Sequence, residues 1–111
     1  HLRSYTYVGD IVDGFVAVLD NLALCAGEIL NIGTDRTITT GEGIAIVEEI
    51  MGKPACVVTV PKREGDQLRT EANIEKARKL LGYNPATQPQ EGLAAQVAWY
   101  RDMVSAAQGY G

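Results

Sequence analysis

The chain has 111 residues and a net charge of −4 from ten basic and fourteen acidic side chains. That is room for one compact domain, or for one piece of a larger one. Its 46% hydrophobic content is too high for a disordered chain, and no apolar run nears the roughly 20 residues needed to cross a bilayer. The acidic balance also argues against binding nucleic acid by charge.

Single-residue counts exclude more. The one histidine is His1, so a Ser-His-Asp triad or a Cys-His pair has no base. His1, Cys25 and Cys56 lie too far apart in sequence for a zinc site. The two cysteines sit in apolar surroundings and read as buried free thiols of a reducing compartment, which points to the cytoplasm.

Short strands alternate with helices along the chain. Residues 4–8 are β-branched and aromatic and predict a strand. Asp10 reads as the N-cap of a first helix, with Ile11, Val12, Phe15, Leu19 and Leu22 as its inner face. Gly27 ends that region, and a strand is expected over 28–32. After an extended piece at 37–39, Thr39 and Glu42 form a capping box for a second helix, which Gly52 and Pro54 stop. Residues 56–60 are a continuous apolar, β-rich run and predict a buried strand. Asn73 caps a third helix that ends at Gly82. A last helix is expected from about 91 to 107, before a loose tail at 108–111. The order predicts an α/β unit of mixed strands and helices. It has too few strands for a complete Rossmann sheet.

Two constellations could carry chemistry. In Arg3-Ser4-Tyr5-Thr6-Tyr7-Val8-Gly9-Asp10, an arginine on a strand feeds a helix N-terminus. A guanidinium fork matches phosphate oxygens and stays charged at any ordinary pH. In Pro61-Lys62-Arg63-Glu64-Gly65-Asp66-Gln67-Leu68-Arg69, Arg63 and Arg69 could converge on an anion while Asp66 accepts from a hydroxyl pair such as a ribose. Read singly, each segment is equally a solvated charged surface.

Taken together, in this order and spacing, the segments resemble the C-terminal part of the NAD-dependent nucleotide-sugar epimerase/dehydratase family, the extended short-chain dehydrogenase/reductases. The resemblance is carried by Arg3 to Asp10, by Ile29-Leu30-Asn31-Ile32-Gly33, by Arg63-Glu64-Gly65-Asp66, and by Leu80-Leu81-Gly82-Tyr83-Asn84-Pro85. Glu91-Gly92-Leu93 and Trp99-Tyr100 extend it into the last helix. It implies a single lobe over 1–111 that holds the substrate, of the UDP-glucose 4-epimerase kind. In it Arg3 and Arg63 clamp the diphosphate of a nucleotide-sugar, Arg69 adds a third contact, and Asp66 accepts from the ribose. Glu64 departs from the proline usual beside that arginine and adds a negative charge next to the anion site.

The family's glycine-rich turn for NAD and its Tyr-x-x-x-Lys base have no counterpart in these residues. Four residues past Tyr5, Tyr7, Tyr83 and Tyr100 stand Gly9, Ile11, Thr87 and Val104. The resemblance therefore implies a truncated segment that binds a nucleotide-sugar and leaves NAD and proton transfer to the rest of the parent enzyme. The competing reading is a non-catalytic module that self-associates through an apolar face exposed by its isolation.

Overall fold

The computed structural model describes residues 1–105. Extended segments meet only around Leu2. Strand β1 (Leu2–Arg3) pairs antiparallel with β2 (Ile38–Thr39), in the register Leu2↔Thr39 and Arg3↔Ile38. On its other side Leu2 bridges in parallel to Arg69. Leu2 N–H donates to the Leu68 carbonyl (2.8 Å), and Thr70 N–H donates to the Leu2 carbonyl (3.0 Å).

The strand expected over 4–8 is absent as a ladder. Side chains satisfy this segment instead: Ser4 Oγ donates to the Thr70 carbonyl (3.3 Å), and Thr6 Oγ1 accepts from Thr34 N–H (3.1 Å). Helix α1 (Val8–Asp20) then starts two residues earlier than its expected cap, with Tyr7 as the extended N-cap residue. Asp10 lies inside the first turn, only 7% exposed. Its carboxylate turns across the fold to accept from Thr87 N–H (3.2 Å) and Thr87 Oγ1 (3.0 Å). Tyr83 Oη donates to the Asp10 carbonyl at 2.8 Å.

This anchoring rotates α1. Asp10 and Gly14 face inward, while Val12, Phe15, Val16 and Leu19 are 48–67% exposed. Of the stripe read as the inner face, Val12, Phe15 and Leu19 therefore lie outside, and Ile11 is half-buried. Gly14 is required by close approach: a Cβ there would meet Ile32 Cγ2 at 2.6 Å. The short α2 (Leu22–Cys25) follows, and Leu22 is also exposed.

Helix α3 (Thr40–Met51) has the expected capping box. Thr39 Oγ1 accepts from Glu42 N–H (3.0 Å), and Glu42 Oε1 accepts from Thr39 N–H (3.4 Å). Gly52 ends it in the left-handed region. Helix α4 (Glu75–Leu81) begins one residue after its expected start, with Asn73 Oδ1 accepting from Glu75 N–H at 3.2 Å. Helix α5 (Pro89–Trp99) packs against α3 and continues as a π-helical turn over Tyr100–Ser105. The expected helix end at 106–107 and the tail at 108–111 lie outside the described residues.

Two predicted strands do not form. Residues 28–32 and 56–60 join no β-ladder among the described residues, and Val57, Val58 and Val60 are 60–79% exposed rather than buried. The run predicts burial because it is apolar, but no described sheet offers it an edge. The cysteines depart from expectation for the same reason. Both are free, yet Cys25 is half-buried and Cys56 is exposed.

The core is small: Ile74, Ala77 and Tyr83, flanked by Ile32, Ala72 and Leu81. Arg78 Nη1 ties α4 to the segment between α2 and β2 through Asp35 (3.0 Å), and Lys76 pairs with Glu28 of the same segment. The radius of gyration is 17.2 Å, against about 13 Å for a compact chain of this length. The architecture is a small mixed helix and strand unit with a two-stranded sheet.

Burial raises the Tyr83 hydroxyl above its ordinary pKa, and the charges of Asp10 and Asp13 push it the same way. The native state thus favours neutral Tyr83. The stability it contributes is whole below about pH 10 and falls as pH rises from there toward the raised value. Tyr83→Phe should flatten this alkaline fall in a series of denaturant melts. At pH 7 it should cost about 1–2 kcal/mol, because the Asp10 carbonyl loses its buried donor.

Candidate functional site

The four residues singled out by sequence fall into two pairs: Arg3 and Arg69 at the Leu2 ladder, and Arg63 and Asp66 on a turn of their own. Arg3 and Arg69 stand on neighbouring extended segments. The register sets Arg69 beside Leu2, not beside Arg3. Strand alternation therefore directs their side chains to opposite faces. Arg3 is half-buried, and its Nη1 donates to the Leu2 carbonyl at 2.9 Å. Arg69 Nη2 pairs with Glu71 Oε1 at 3.1 Å. Glu71 went unnoticed in the sequence, although two residues apart on an extended segment is the spacing that puts side chains on one face.

Arg63 and Asp66 form the second pair. The chain turns at Glu64-Gly65, where Gly65 has φ +86°, a conformation that favours glycine. The turn closes with Asp66 N–H donating to the Arg63 carbonyl (3.2 Å) and Arg63 N–H donating to Asp66 Oδ2 (3.2 Å). The same carboxylate oxygen lies 3.8 Å from Arg63 Nε. Asp66 is thus the keystone of its own turn. The Arg63 side chain is 87% exposed, and its Nη groups have no partner among the described residues. No hydrogen bond or ion pair joins the two pairs to each other among the described residues.

Charge in this region is balanced. Lys62, Arg63 and Arg69 are matched by Glu64, Asp66 and Glu71, so Arg3 is the cation in excess. An anion here would have to compete with Asp66 for Arg63 and with Glu71 for Arg69.

A separate open groove of about 660 Å³ lies between the 4–8 segment and α5. Tyr5, Tyr7, Leu93 and Trp99 make it largely apolar, with Thr6 and Gln96 at its edge. The sequence reading assigned these aromatics to strand and helix packing. Their one signal was two tyrosines on alternate positions opposite a lone tryptophan.

The described residues do not fit a dinucleotide cradle. Among the described residues, the only glycines two positions apart, Gly41 and Gly43, lie in α3. A Cβ at Gly43 would stand 3.4 Å from Tyr5 Oη, so this glycine serves packing against a ring and not an approach to phosphate. No described helix is long and apolar enough to cross a membrane.

The turn is exposed, so Asp66→Ala should move the unfolding midpoint little, by less than about 0.5 kcal/mol. It should nonetheless speed amide exchange at Arg63, which loses its acceptor, as measured by NMR.

No family model matches the chain. Individual relatives do. It is 36% identical over 97 residues to an uncharacterized UDP-glucose epimerase of Bacillus subtilis, covering 87% of this chain and 30% of the relative. It is 34% identical over 103 residues to the UDP-glucuronate 4-epimerase of Thermodesulfobacterium geofontis, covering 92% and 31%. The UDP-glucuronic acid 4-epimerase of Bacillus cereus, solved with UDP-glucuronic acid and NAD, superposes with a TM-score of 0.84 at 31% identity, over 92% of this chain and 32% of that one. The chain spans about three tenths of the length of the curated relatives it matches. By sequence and by fold, the chain matches one stretch of UDP-sugar 4-epimerases, its homologues and structural neighbours alike.

Proposed function

We propose that this stretch is a substrate-holding lobe of a UDP-sugar epimerase, and that it grips the nucleotide end of the sugar donor. Arg63 is the principal contact to the diphosphate. The observation that carries this is its nearly fully exposed guanidinium, on a turn rigidified by Gly65 and Asp66, with both Nη groups uncommitted. Arg3 supplies a second positive charge from β1, while Arg69, on the opposite face of the ladder and paired with Glu71, makes no direct contact. Asp66 offers its second carboxylate oxygen to a ribose hydroxyl while the first holds the turn.

The physical logic is charge-assisted hydrogen bonding. A diphosphate presents several anionic oxygens, and a guanidinium can meet two of them at once. Glu64 and Glu71 oppose the binding, so affinity in isolation is modest and falls with salt. Relatives whose structures contain UDP-glucuronic acid or UDP support the choice of ligand class. The residues described here hold the substrate. Oxidation and reduction through NAD, and the proton transfer that accompanies them, belong to groups outside this stretch.

Calorimetric titration of the chain with UDP should show saturable binding that weakens as sodium chloride is raised. Arg63→Ala should weaken it about tenfold or more, the usual loss for one charge-assisted pair. Arg3→Ala should have a smaller effect in the same direction. No heat with UDP, or an Arg63→Ala variant that binds as well as the parent, would sink this reading.

A further inference from the structure

Arg36 belongs to neither pair of the candidate site, yet the ladder brings it beside Arg3. Arg3 stands opposite Ile38 in the β1–β2 register. Arg36 lies two residues before Ile38, and no helix or turn interrupts residues 34–39. Strand alternation therefore returns Arg36 to the face of Arg3. Diagonal neighbours on such a pair are about 7–8 Å apart, within reach of one another for long side chains.

The two segments stay side by side beyond the ladder. Thr34 N–H donates to Thr6 Oγ1 (3.1 Å), and Arg36 N–H donates to Thr34 Oγ1 (3.2 Å). Thr34 is only 4% exposed, so this link is shielded from water. The Arg36 main chain is thus held from both ends, by the ladder at Ile38 and by the Thr34 hydroxyl. Its side chain is exposed, and its guanidinium has no hydrogen bond or ion pair among the described residues. The acids nearest to it in sequence are committed elsewhere. Asp35, on the opposite face by the same alternation, accepts from Arg78 Nη1 at 3.0 Å. Glu42 Oε1 is spent on the capping box at Thr39. Arg3 gives Nη1 to the Leu2 carbonyl and keeps its other N–H groups. Two guanidiniums held on one face with no acid between them repel each other, and a polyanion placed between them relieves that repulsion.

We propose that Arg36 is a further binding residue of this stretch, and that it closes with Arg3 on one diphosphate. Naming that diphosphate as the one in a UDP-sugar rests on the function proposed above. The pairing of the two arginines rests on the ladder and the threonine link alone. A fork from each strand meets oxygens that a single guanidinium cannot span, so the site favours a diphosphate over a lone carboxylate. Arg36 carries no motif signal, because its partner lies 33 positions away and only the register joins them.

Calorimetric titrations with UDP and with inorganic pyrophosphate test this on the whole chain. Both ligands should bind the parent, and Arg36→Gln should weaken both about tenfold or more. Arg36→Lys, which keeps the charge and loses the fork, should cost about threefold. Circular dichroism should be unchanged in both variants, because the side chain is exposed. Arg101→Gln, an exposed cation on the π-helical turn, removes the same net charge and should leave both affinities as they are. The inference is overturned if Arg36→Gln binds as the parent does, or if Arg101→Gln weakens binding equally. UDP binding that Arg63→Ala abolishes and Arg36→Gln keeps overturns the inference and leaves the proposed function standing. Pyrophosphate binding that needs Arg36, with no binding of UDP, supports the arginine pair and removes the nucleotide reading. Binding of neither ligand overturns both.

Discussion

The structure depends on what the Asp10 side chain and main chain accept. The carboxylate takes two hydrogen bonds from Thr87, and the carbonyl takes one from Tyr83. These bonds fasten the first turn of α1 to the connector between α4 and α5. Since Tyr83 is also a third of the buried apolar core, one residue links polar and apolar cohesion. A carboxylate this deeply buried is costly unless its oxygens are satisfied, and here both are. The polar anchor fixes the rotation of α1 about its axis. That rotation decides which side chains are left outside, so a hydrogen-bond requirement outranks the hydrophobic stripe.

Much of the local structure was legible in the sequence. The capping box at Thr39 and Glu42 and the left-handed stops at Gly52 and Gly82 are short-range signals that tertiary context did not override, whereas the N-cap of α4 is Ile74 and not Asn73, whose Oδ1 accepts from Glu75 N–H just outside the helix. The misread elements share one cause. Periodicity reports which residues prefer burial, not whether a partner surface is present. Val57, Val58, Ile29 and Phe15 each carry the preference without the partner. Asp10 was misread differently. A carboxylate near a helix start is a good local cap, and nothing in the local pattern reveals a threonine 77 residues away that competes for it.

The candidate site was legible as a set of residues and less so as a geometry. Spacing singled out Arg3, Arg63, Asp66 and Arg69; the segments of Arg3 and Arg69 meet at Leu2, and Arg63 and Asp66 form a turn of their own. Sequence could not say that Asp66 spends one oxygen on closing its own turn, or that Arg69 faces away from Arg3. The ladder register decides the second, and a one-residue slip would exchange the faces.

The unpaired run at 55–60 has a consequence for handling the chain by itself. Ala55-Cys56-Val57-Val58-Thr59-Val60 carries no charge and no proline, and it is rich in β-formers, which is the signature of a segment that stacks into cross-β fibres. The residues around it are of the opposite kind. Lys53 and Pro54 precede it, and Pro61, Lys62 and Arg63 follow. Such gatekeepers cap a sticky strand with charge and with positions that cannot donate to a ladder. Lys62 and Arg63 therefore hold neighbouring chains apart, whatever else the basic turn does.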